Sequence, residues 1–75
     1  MKISGKKIKI EAANSFELEN KKNLDLLLAE NGVELTVSVW IENISDRFYE
    51  TIWDIWFSGL EFEEIDFEKE TVRLI

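Results

Sequence analysis

The sequence predicts an α+β domain: a small, mostly antiparallel sheet of three to four strands with one main helix, about 44–58, packed on one face. Three observations lead there. Residues 33–41 alternate apolar and polar side chains, residues 48–57 place apolar side chains at helical spacing, and Gly59 follows the last of these. Seventy-five residues make one domain, because a second core would have nothing to bury.

The elements follow in order. Ile8, Ile10, Ala12, Phe16 and Leu18 share one parity, and Lys7, Lys9, Glu11, Glu17 and Glu19 take the other. A period of two argues for a half-buried strand over 7–18, bent near Asn14. Leu24, Leu27 and Leu28 then fall at helical spacing before Asn31-Gly32, which predicts a short helix near 21–30. The same Asn-Gly pair is also a hairpin turn, the alternative for this segment. In 33–41 the residues Val33, Leu35, Val37, Val39 and Ile41 face one way, with Glu34, Thr36, Ser38 and Trp40 opposite. Asn43 or Ser45 can cap the main helix, and Asp46 in its first turn suits the helix dipole. Beyond Gly59, "LEFEEIDF" and "TVRLI" read as two strands joined by a turn near Glu68-Lys69.

The helix is richer in aromatics than packing requires. Five of the nine aromatic residues lie between Phe48 and Phe57. At about 100° per residue, the side chains Ile55, Phe48, Ile52, Trp56, Tyr49, Trp53 and Phe57 fill an arc of about 200°. A helix on a sheet needs an apolar stripe little over 100° wide. Trp53 and Phe57, at the margin beside Glu50 and Asp54, are therefore expected at the surface. Tyr49 and Trp40, the latter on the polar parity of its strand, join them as candidate partner contacts.

Net charge is −7, and its distribution matters more than its total. Residues 1–41 hold six basic and six acidic side chains, whereas residues 42–75 hold three against ten. Asp46, Glu50 and Asp54 form a stripe at i, i+4 and i+8, where like charges cost about 0.2–0.5 kcal/mol per pair. Glu64, Asp66, Glu68 and Glu70 share a parity that an extended chain would space by about 7 Å. Glu61 and Glu63 take the other parity. These carboxylates predict a row of negative charge that a basic surface would recognise.

Catalytic chemistry is poorly served. No histidine or cysteine is present, which removes the usual general base, thiol nucleophile and transition-metal ligands. Gly5, Gly32 and Gly59 are isolated and form no phosphate-cradling loop. The expectation is a non-enzymatic protein without cofactor or metal. With no basic-then-apolar leader and no long apolar run, the cytoplasm is the expected compartment.

The composite expectation is an acidic protein-binding module that occupies the basic phosphate-binding groove of a nucleic-acid-handling protein as a nucleic-acid mimic. Its partner-binding residues would be Trp40, Tyr49, Trp53 and Phe57 with the carboxylates named above. In size, acidity and lack of catalytic residues, and in stretches such as "EFEEIDFEKE", the chain resembles the small anti-defence proteins of phages and mobile elements, anti-CRISPR and anti-restriction inhibitors among them. That resemblance implies inhibition by protein contact; it rests on overall character, and no residue role carries over from it. The alternative is a self-associating accessory protein that uses the aromatic helix as a homodimer interface.

Overall fold

The sheet is organised around one hairpin. A computed structural model describes residues 1–11, 17–18 and 21–75, with residues 17–18 described by backbone alone. Asn31 and Gly32 adopt positive φ values of 54° and 80°, the two-residue turn whose twist suits adjoining strands. They join β3 (Lys21–Glu30) to β4 (Val33–Glu42) in an unbroken ladder from Lys21 opposite Glu42 to Glu30 opposite Val33. The short helix predicted near 21–30 is thus corrected to a strand. Leu24, Leu26 and Leu28 fit a period of two as well as Leu24, Leu27 and Leu28 fit a helix. Ten residues are too few for a helix to be stable alone, and the ladder satisfies the same backbone groups while aligning the leucines.

β1 (Lys2–Ile10) begins five residues before the strand read from the sequence. Its C-terminal half pairs antiparallel with β3, and its N-terminal half pairs antiparallel with β5 (Phe62–Asp66). The register shifts between Ser4 and Ile8. That irregularity reverses parity, so Ile3 and Ile8, which strict alternation would put on opposite faces, both enter the core. The rest of the strand expected over 7–18 lies mostly outside the described residues. Only β2 (Glu17–Leu18) is seen, pairing with the start of β3.

β5 turns back into β6 (Thr71–Leu74) through residues 67–70, as expected from the sequence. Among the described residues the result is five antiparallel strands in the order β4-β3-β1-β5-β6, with β2 lying end to end with β1 against β3. This is more than the three to four expected, because residues 21–30 form a strand. The sheet curls: Ser45, just after β4, hydrogen-bonds Glu70, just before β6, although those strands are at opposite ends of the order.

One helix, α1 (Asp46–Phe57), lies on the inner face. Ser45 caps it, accepting from the Phe48 N–H at 3.2 Å. Gly59, at φ +79°, closes its C-terminus by donating to the Trp56 carbonyl at 3.0 Å. Ile52, Phe48 and Tyr49 meet Ile3, Ile8, Ile10, Leu24, Leu26, Val39, Ile41, Phe62 and Ile65 in one core. A twelve-residue helix is about 18 Å long and a ten-residue strand about 33 Å, so α1 cannot cover the whole hairpin. Val39 and Ile41 are buried beneath it, while Val33 and Leu35, on the same strand face, remain 59% and 58% exposed. Among the described residues, no helix is long and apolar enough to cross a membrane.

Candidate protein-docking surface

The fold redistributes the charge. Lysines of β1 and acids in or just before β5, remote in sequence, become neighbours through strand pairing. Lys2 Nζ lies 3.3 Å from Glu64 and Lys7 Nζ 4.0 Å from Glu61. Arg73 of β6 meets Glu63 at 2.7 Å and Glu64 at 3.4 Å. Glu63 and Glu64 can share one arginine because of a second register shift, between Phe62 and Glu64. It turns both Phe62 and Ile65 inward, where simple alternation sets them on opposite sides.

The remaining C-terminal acids are largely occupied too. Asp66 accepts from the backbone N–H groups of Glu68 and Lys69 at 3.1 and 3.0 Å, shaping the β5–β6 turn. The Lys69 N–H contributes most to holding its carboxyl below the usual aspartate range. Glu70 receives the Ser45 N–H at 2.9 Å and its hydroxyl at 2.7 Å. Glu68 is open, with the N-terminal amine 3.9 Å away. Of the row Glu64, Asp66, Glu68 and Glu70, Glu64 thus meets Lys2 and Arg73, Asp66 serves the turn and Glu70 bonds Ser45, while Glu68 stays open.

Glu70 gives a pH-dependent prediction. The Ser45 N–H, then the Ser45 hydroxyl, hold its carboxyl below the usual glutamate range. Its stabilising contribution is complete above the ordinary glutamate pKa of about 4.3 and fades as pH falls through the lower folded value. Glu70→Gln is expected to be less stable than wild type near neutrality, with the gap closing toward about pH 3 in denaturant titrations. A gap unchanged by pH would contradict the contact.

Lys22 was not singled out in the sequence, yet it is the buried charged residue of the core, 1% exposed. Its ammonium bonds Asp46 at the first turn of α1 and lies 4.9 Å from the centre of the Tyr49 ring. Asp46 thus has an internal role, and Tyr49, 5% exposed, is a core residue unavailable as the surface contact first expected. Lys22→Met is expected to stay within about 1 kcal/mol of wild type, because an apolar chain of similar length replaces an ion pair. Asp46→Ala is expected to lose more, about 1–3 kcal/mol, because it removes a carboxylate that the enclosed ammonium bonds. Thermal melts that reverse this ranking would contradict the assignment.

The exposed aromatic surface of α1 is concentrated at its C-terminal end. Phe57 is 73% exposed. Its ring centre lies 4.8 Å from that of Trp56 and 5.7 Å from that of Trp53, and Trp53 meets Trp56 edge-on at 5.5 Å. Trp53 and Trp56 are half-buried and tie the cluster to the core. Leu60, past the closing glycine and 51% exposed, extends it. A cleft of about 350 Å³ runs alongside, lined in part by Ile8, Ile10, Trp56 and Leu60. Glu50 and Asp54 are exposed on the same helix. Among the described residues neither has a cation within ion-pair distance.

Trp40, 55% exposed, stands apart on β4 beside Glu42, Glu68 and Glu70. The geometry therefore joins Trp53 and Phe57 with Glu50 and Asp54, and leaves Trp40 as a separate spot. It supplies an apolar, aromatic contact area rimmed by negative charge, the make-up of an interface anchor. Among the described residues no group of three acidic, histidine or cysteine side chains could hold a metal ion. No family model, curated protein or solved structure matches the chain.

Proposed function

We propose that this chain is a non-enzymatic protein-binding module that inhibits a nucleic-acid-handling protein by inserting the end of α1 into its basic phosphate-binding groove. The observation that carries the reading is Phe57, exposed on a bed of two indoles, on the helix that bears Glu50 and Asp54, which have no cation within ion-pair distance among the described residues. A groove lined with Lys and Arg gains by pairing with these carboxylates, and the aromatic cluster slows release. The net charge of −7 steers such a partner and repels nucleic acid itself.

The test uses immobilised wild-type chain and a Glu50→Lys/Asp54→Lys variant, each incubated with cell lysate and then challenged with duplex DNA. The wild type is expected to retain a nucleic-acid-binding protein that excess DNA or raised salt releases, and the variant to retain none. Retention that resists excess DNA would overturn groove occupancy. Equal retention by the variant would overturn the role of the carboxylates.

A further inference from the structure

The two edges of the sheet are protected very differently. β6 is four residues long and carries Arg73, features that discourage pairing with another chain. β4 is ten residues long and contains no lysine, arginine or proline; between Val33 and Ser38 its sole charge is Glu34. Among the described residues only β3 pairs with it. The hairpin geometry also determines which of its backbone groups are free. A two-residue turn makes Glu30–Val33 a hydrogen-bonded pair, and pairs then alternate, so the N–H and C=O groups of Glu34, Thr36 and Ser38 point away from β3. Beyond them Trp40 to Asn43 share a cleft with Met1 and Phe67, so the open stretch is 33–38.

We propose that two copies of this chain pair antiparallel through residues 34–38 of β4, about a two-fold axis at Thr36. This register is self-complementary. It opposes Thr36 to the partner's Thr36 and Glu34 to the partner's Ser38, which brings outward-pointing backbone groups face to face. On the inner face Leu35, which α1 leaves bare, meets the partner's Val37, so the exposed part of the stripe is covered by the second copy. An axis at Ser38 would instead oppose Glu34 to the partner's Glu42, a like-charge contact. The short pairing and the charge of −7 on each copy make the dimer weak and salt-strengthened, since screening relieves repulsion between the copies. Binding of a basic target would weaken with salt, which separates this association from the proposed function.

Sedimentation equilibrium of the full chain over about 10 µM to about 1 mM, at low and high salt, tests the pairing. The expected result is a mass rising from 8.8 kDa toward twice that value, more readily at high salt. Thr36→Pro removes an outward N–H without breaking the ladder to β3, and is expected to weaken association at least tenfold with an unchanged far-ultraviolet spectrum. Should that variant unfold, Leu35→Lys places a charge on the same contact and is expected to do the same. A wild type that stays monomeric throughout would overturn the proposal. So would folded edge variants that associate as wild type does, or association abolished by Phe57→Asp alone.

Discussion

Phe62→Ala is expected to lower the melting temperature by roughly 12 to 40 °C. Phe62 is fully buried, at the point where β5 lies opposite Ile8 of β1 and Leu74 of β6. Truncating a buried phenylalanine costs about 3–5 kcal/mol, the lost transfer energy plus a cavity that close packing cannot refill. A domain of 75 residues has about 4–11 kcal/mol in all, so the variant loses about a quarter of its stability or more and can fall to marginal folding. Each kcal/mol corresponds to about 4–8 °C in a domain this size. Phe62→Leu, which keeps most of the volume, is expected to cost less than about 1.5 kcal/mol. Calorimetry of the two variants decides the matter: a shift below about 5 °C for the alanine form would mean that Phe62 does not join β1 to β5 as described.

Phe57→Ala is expected to have the opposite profile. Its ring is mostly in water, so stability should change by no more than about 0.5–1 kcal/mol, the share owed to its contacts with Trp53 and Trp56. Affinity for the proposed target should fall by about 30-fold or more, the effect of losing a central aromatic anchor worth about 2 kcal/mol. Titration calorimetry with the captured target, beside a thermal melt of the free variant, reads both quantities. A variant that melts like wild type and binds like wild type would remove Phe57 from the interface. One that loses several kcal/mol of stability would recast Phe57 as a packing residue.

The elements legible in the sequence are those set by near neighbours. The helix and its closing Gly59 occur where residue type and spacing predict them, and of the two candidate caps, Asn43 and Ser45, the structure uses Ser45, because caps and glycine geometry act within one turn. The β5–β6 turn is local in the same sense. The segment 21–30 was ambiguous because its leucines satisfy both periods, and the choice was made by a partner strand beyond the turn. Tyr49 differs from its expected exposure for a related reason: its place on the helical arc is local, but the Lys22 ammonium over its ring comes from β3.

For the candidate site the division runs between composition and neutralisation. The chain alone established an aromatic helix, an acidic C-terminal half and a chemistry without histidine or cysteine, since these are properties of residue type and order. Only the tertiary structure decided which charges are spent. Strand pairing set Lys2 and Lys7 against Glu64 and Glu61, and the register shift between Phe62 and Glu64 set Glu63 and Glu64 together on Arg73. A shift of one residue exchanges the faces of a strand, and it arises from pairing across the sheet rather than from local pattern.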